Sequence, residues 1–218
     1  MSIPDLIRNL AVKTKIPDPE TGLSRRVGIR DSGLTQSEDF ENTNKETLMS
    51  KAQSNVNLNA EIKKLEKKFG KISGVCKILL STDGSITGIL NALSGEVTAK
   101  ILVQKTQKAD TKTAKLLNIK EGEEFNFREV LICGCNRPLI KAVSFSVLKR
   151  FSADFRKDLL STDIPIGNLL KKHNVESRRE ITALSANVKD NLLLREYRII
   201  SNGEILMHIK EQFSPKEF

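Results

Sequence analysis

The most restrictive feature of this chain is a series of β runs joined by turns too short for anything but hairpins. EFNFREVLICG, residues 124–134, and LIKAVSFSVL, residues 139–148, are rich in β-branched and aromatic residues and are separated only by a turn around NRP. NLLLREYRII and EILMHIKEQF likewise flank Asn202-Gly203, a strong hairpin signal. Short links force antiparallel pairing, because a parallel crossover needs a dozen or more residues. EVTAKILVQKT and REITALSANV read as further strands.

Helical patterns gather at the start and middle. LNAEIKKLEKKF puts Leu58, Ile62, Leu65 and Phe69 on one face, with KKLEKK as the solvated side and Gly70 as the stop. KILL is a short apolar segment. After a turn at Thr82-Asp83-Gly84, Ser85 or Asp83 caps a helix that closes at Gly95. QKADTKTAKLLNI reads as a polar connection, and helical turns flank IPIG. Antiparallel strands with segregated helices make an α+β fold, not a doubly wound sheet.

The 218 residues suit one domain with an appendage. Residues 1–55, with PDPETG and RDSGLTQSEDFENTNKE, form a polar N-terminal extension that is partly disordered or wraps the body, with a short helix allowed at IPDLIRNLAV; residues 56–218 form the domain. The start has no apolar run of secretory type and no segment spans a bilayer, so a cytoplasmic protein without membrane attachment is expected. Cys76, Cys133 and Cys135 read as buried thiols, the latter two packing from one strand. His173 and His208 belong to no metal-binding pattern, so no metal site is expected. The net charge of +9 suits a polyanionic partner, but with nine Phe, one Tyr and no Trp there is no aromatic-basic interleaving for stacking bases, so no nucleic acid is expected. Phosphate-binding loops and nucleophile elbows are absent from the sequence.

What remains is charge set into apolar strands. In ILMHIKEQFSP, alternation places Ile205, Met207, Ile209, Glu211 and Phe213 on one side and Leu206, His208, Lys210 and Gln212 on the other. Glu211 thus lies on the apolar side, where an unpaired carboxylate is costly. In EFNFREVLIC, Arg128 shares a side with Val130 and Ile132, and Glu129 shares an equally apolar side with Phe127 and Leu131, so alternation does not choose between them. A structural ion pair between Glu211 and an arginine is one reading.

LLSTDGSITGIL, FREVLICGCNRPLIKAVS, IPIGNLL and a terminal strand ending IKEQFSP, in this order over residues 75–218, resemble the chorismate pyruvate-lyase family, especially its archaeal and bacterial branch. The resemblance implies a six-stranded antiparallel sheet with helices on one side and an enclosed cavity between them, a fold shared with UTRA effector domains. It implies that Arg128 binds the ring carboxylate of chorismate and that Glu211, its proton held by an apolar setting, is the general acid for loss of the enolpyruvyl group. Pro165, Ile166 and Gly167 would pack on the ligand, Ser85, Ile86 and Thr87 would open a helix over the cavity, and Arg179 or Arg178 would hold the second carboxylate. The reaction so implied gives 4-hydroxybenzoate and pyruvate without metal, cofactor or covalent intermediate, with a small-molecule substrate and with a homodimer compatible. The alternative is a non-catalytic, UTRA-like sensor of small molecules.

Overall fold

The structure is a computed structural model that describes residues 56–218. The expected extension over residues 1–55, with its short helix, lies outside the described residues. Six strands form a single antiparallel sheet in the order β1-β2-β3-β6-β5-β4. They are β1 (Val97–Lys108), β2 (Glu124–Gly134), β3 (Arg137–Ser146), β4 (Arg178–Asn187), β5 (Leu192–Ser201) and β6 (Glu204–Phe213). The central strands β3 and β6 are neighbours in the sheet but not in sequence, since the chain runs from β3 through two α-helices to the edge strand β4 and then through β5 to β6, while β2–β3 and β5–β6 are tight hairpins. Their turns hold residues at positive φ, Cys135 and Asn136 in the first and Asn202 and Gly203 in the second; Asn and Gly accept that conformation readily.

The helices are α1 (Leu58–Phe69), α2 (Gly74–Ser81), α3 (Ile86–Ser94), α4 (Thr111–Leu117), α5 (Ala153–Ser161) and α6 (Ile166–Lys172). α1 has the expected bounds, with Asn57 Oδ1 accepting the Ala60 N–H and Gly70 at positive φ ending it. Five helices pack on one sheet face. Ile62 and Leu65 of α1, Leu79 and Leu80 of α2, Ile86 and Leu90 of α3, Phe155 and Leu159 of α5, and Leu169 and Leu170 of α6 share a core with inward residues of the strands. A fully buried Leu or Phe contributes roughly 1.5–3 kcal/mol, so this layer dominates the stability.

Several local expectations change. The KILL segment is the C-terminal part of α2, started by Ser73, whose hydroxyl accepts the Cys76 N–H. The polar connection contains α4: Asp110 accepts the Thr113 N–H and left-handed Asn118 ends the helix, so caps replace the missing apolar periodicity. α4 belongs to a second, smaller cluster with Ala109, Leu117, Phe125, Val147, Ile200 and Ile205. Only Cys76 is a buried thiol; Cys133 is half-buried, and Cys135 is exposed because it lies in the hairpin turn rather than on the strand.

Strict alternation along β6 also fails at one point. Ile200 pairs with Ile205 but Ile199 pairs with Met207, so Leu206 is an extra residue, a β-bulge. Leu206 and Met207 both join the main core, and Ile205 moves to the second cluster.

The other sheet face carries charge. His208 Nε2 lies 3.2 Å from Glu196 Oε2, and Lys210 Nζ donates to Glu196 Oε1 at 3.0 Å. The hydrogen bond from His208, reinforced by Lys210 against the opposing effect of burial, pulls the Glu196 carboxyl from 4.5 to about 2. A depressed carboxyl stabilises the fold above its unfolded pKa, and that stabilisation is lost as pH falls through the folded value. Discounted for a side chain one-third exposed, it amounts to roughly 1–2 kcal/mol. Glu196→Gln should therefore lower the urea midpoint at pH 7, and the gap to wild type should narrow from about pH 4.5 downward and close only below about pH 2.

Candidate active site

β2 presents Arg128 to the helical side of the sheet, where it is 1% exposed, while Glu129 turns to the opposite face and binds Lys141 at 2.7 Å. β6 presents Glu211 to the same helical side, 4% exposed. Both line one enclosed cavity between sheet and helices. Its floor is made of small side chains, Ala99 on β1 and Ala142 and Ser144 on β3, at positions where neighbouring inward residues are mostly large. That stripe of small residues is what lifts the helices off the sheet, and it was readable in AVSFS as a break in side-chain volume.

The cover is two helix starts. α3 begins at Ser85-Ile86-Thr87 and α6 at Pro165-Ile166-Gly167, and all six residues line the cavity. Of the two expected caps, Ser85 stands at the N-cap position of α3, but neither it nor Pro165 makes a side-chain capping hydrogen bond. The first-turn N–H groups of Ile86, Thr87, Ile166 and Gly167 thus lack the usual capping oxygen, and two positive helix ends meet over one cavity. The lips touch closely: a Cβ added at Gly167 would lie 2.6 Å from Ser85 Oγ and 3.3 Å from Thr87 Oγ1. Glycine is needed there for approach, not for backbone conformation.

Arg179 on β4 lines both this cavity and a wider cleft outside the lips, whereas Arg178 is exposed and binds Glu180 at 3.0 Å. Of the two arginines only Arg179 reaches the site, because adjacent strand residues point to opposite faces. The enclosed cavity measures about 40 Å³ and the outer cleft about 620 Å³. The inner volume suits a few ordered waters, so a ring-sized ligand requires the lips to part.

Arg128 is held by backbone rather than by a carboxylate. Its Nη1 donates to Ile164 O at 3.2 Å, and its Nη2 donates to Thr162 O at 3.0 Å and to Ile164 O at 3.3 Å. Nε has no partner among the described residues. Burial lowers its pKa and the nearby charge of Asp163 opposes that, so a buried cation stands ready for an anion.

Glu211 is bound to two residues that the sequence reading did not single out. Arg195 Nε donates to Oε2 at 2.8 Å and the Tyr197 hydroxyl donates to Oε1 at 2.9 Å. Its surroundings are therefore an ion pair and a phenol rather than the apolar setting expected. The arginine paired with Glu211 is Arg195, not Arg128. Arg195 Nη1 also donates to Leu79 O at 2.8 Å and Thr82 O at 2.9 Å at the end of α2, and its Cζ stands 4.6 Å from the Tyr197 ring centroid. Burial works against the charge on Arg195, but the Glu211 carboxylate and Tyr197 more than offset it, so its pKa is raised. Burial, followed by the Glu211 charge, also raises the Tyr197 phenol, keeping its proton. The pattern Leu193, Arg195, Tyr197, Ile199 on one face of β5 was the available signal.

The family model described as chorismate pyruvate-lyase, Rv2949c-like, matches residues 80–218. The chain belongs to this family. A relative named "Putative lyase MJ0807", from Methanocaldococcus jannaschii, is 38% identical over 172 residues, covering 71% of this chain and 85% of that protein. The name of that relative states a lyase without a substrate. Among solved structures, PhnF from Mycobacterium smegmatis is 11% identical with a TM-score of 0.49, covering 63% of this chain and 67% of that one. The effector domain of PhnF from the same organism has 12% identity and a TM-score of 0.46, covering 60% and 88%. Among the described residues no helix is long and apolar enough to cross a membrane.

Proposed function

We propose that this protein is a lyase that eliminates pyruvate from chorismate and releases 4-hydroxybenzoate. The observation that carries the reading is that Arg128 and Glu211 face one enclosed cavity from opposite ends. In the sheet register, Arg128 is opposite Ser144 and Ile209, while Glu211 is opposite Ala142, whose partner on β2 is Val130. The two Cα atoms are therefore two strands and two residues apart, about 12 Å. Two long side chains reaching across that span leave room for one ring with a carboxylate at one end and a hydroxyl at the other.

In this reading the ring carboxylate binds Arg128 through parallel charge-assisted hydrogen bonds, taking the unpartnered Nε–H and replacing carbonyls of the 162–164 loop. Arg179 and the uncapped starts of α3 and α6 receive the enolpyruvyl carboxylate. The reaction breaks the C–H bond at the hydroxyl-bearing ring carbon and the ether C–O bond beside it. The C–H electron pair completes the aromatic ring, the C–O pair leaves with enolpyruvate, and a proton must reach that leaving group. Glu211 delivers it. Orientation and exclusion of water by the closed lips supply the remaining acceleration.

Incubation with chorismate tests the reading. Ultraviolet detection should show 4-hydroxybenzoate, with pyruvate formed in equal amount. Tight binding of 4-hydroxybenzoate with no turnover would instead make the protein a sensor, and the lyase reading would fall.

A further inference from the structure

The structure assigns a positioning role to Arg195 and Tyr197: they hold Glu211 as an aimed carboxylate, so that it takes the ring proton first and hands that same proton to the leaving enolpyruvate. This inference rests on the lyase reading and concerns the source of the proton. A general acid must be protonated before the reaction begins. Glu211 instead accepts from Arg195 Nε at 2.8 Å and from the Tyr197 hydroxyl at 2.9 Å, the pattern of an acceptor-only group. Arg195 is 1% exposed and is fixed on its far side by Leu79 O and Thr82 O, so it cannot swing away to release the carboxylate.

A carboxylate that begins as a base still satisfies the proton balance. The ring C–H proton moves to Glu211 as the C–O bond breaks, and Glu211 then returns it to enolpyruvate, which becomes pyruvate; no external acid or base is consumed. The substrate geometry permits this. In chorismate the hydroxyl and the enolpyruvyl ether stand on opposite faces of the ring, so the departing hydrogen and the departing oxygen stand on the same face. One carboxylate on that face can serve both. The Tyr197 hydroxyl remains bound to Oε1 through the cycle and keeps the other oxygen aimed at the ring.

Infrared difference spectra of wild type against Glu211→Gln at neutral pH read the protonation directly, and carboxylate bands without the carbonyl stretch of a neutral carboxyl are expected. Tyr197→Phe should lower kcat about 10-fold or more with KM within about threefold, and should move the acid limb of the kcat–pH profile upward. Arg195→Met should move the limb further, and Arg195→Lys, which keeps the charge, should bring it back toward wild type even if Arg195→Met does not fold. A neutral carboxyl in the infrared, or unchanged kcat and unchanged pH limb in Tyr197→Phe and Arg195→Lys, overturns the proton route while leaving the lyase reading intact. Wild type that forms no 4-hydroxybenzoate overturns both.

Discussion

Arg128→Ala should abolish detectable turnover and weaken 4-hydroxybenzoate binding by at least about 10²-fold in calorimetry, since losing one partner of a buried charge-assisted pair costs roughly 2–5 kcal/mol. The size of the effect follows from burial. At 1% exposure the guanidinium is in a low-dielectric site, and no water can take its place at full strength. The fold should persist, because the groups left without donors are the Thr162 and Ile164 carbonyls, in a loop next to exposed Asp163. Their loss costs about 1–2 kcal/mol. Arg128→Lys should recover little affinity, since an ammonium keeps the charge without the planar fork. Binding that survives Arg128→Ala unchanged would move the carboxylate site to Arg179.

Glu211→Gln should lower kcat by about 10²–10⁴-fold while 4-hydroxybenzoate still binds, because the amide keeps the shape and one acceptor oxygen but can neither take up nor return a proton. It should also destabilise the protein. Arg195 would be left as a buried cation with only the Leu79 and Thr82 carbonyls, and breaking a buried pair from one side costs about 3–5 kcal/mol. With the amide oxygen still able to accept, the lower end applies, and a Tm decrease of roughly 6–12 °C is expected in thermal unfolding. The two readouts separate function from structure: lost turnover with intact ligand binding belongs to chemistry, and the lower Tm belongs to the ion pair. Full activity in Glu211→Gln would remove the residue from the reaction.

The mixture of roles at Glu211 explains why a structural and a functional reading of one residue need not exclude each other. Its ion pair with Arg195 ties it to Leu79 and Thr82 at the end of α2, Thr82 being the first residue of the turn that leads to the α3 lip. The same carboxyl lines the cavity that the lip covers. Arg195 thereby links Glu211 to the segment that leads into the α3 lip.

What the sequence alone determined was everything that depends on local periodicity and turn chemistry. Period-two runs separated by the Asn-Gly turn and by a turn around NRP dictate antiparallel hairpins, and the apolar spacing of α1 sets its bounds, because both signals are complete within a dozen residues. The ordered motifs at Ser85–Thr87, Arg128, Pro165–Gly167 and Glu211 picked out residues that line one cavity. Where the caps alone made the element, as at Asp110 and Asn118 of α4, the local signal existed but was outweighed by polar composition.

Tertiary structure decided which charges meet. Arg128 and Glu129 both have apolar neighbours at two-residue spacing, and only the layer of helices on one face tells them apart. Counting back from Asn202-Gly203 with unbroken pairing sets Arg195 opposite Lys210; the bulge at Leu206 advances the register by one residue and sets it opposite Glu211 instead. A single extra residue in β6 therefore selects the partner of the buried carboxylate. The physical reason is that a β-ladder carries its register over its whole length, so the identity of a cross-strand neighbour depends on packing at a distant point that no local pattern encodes.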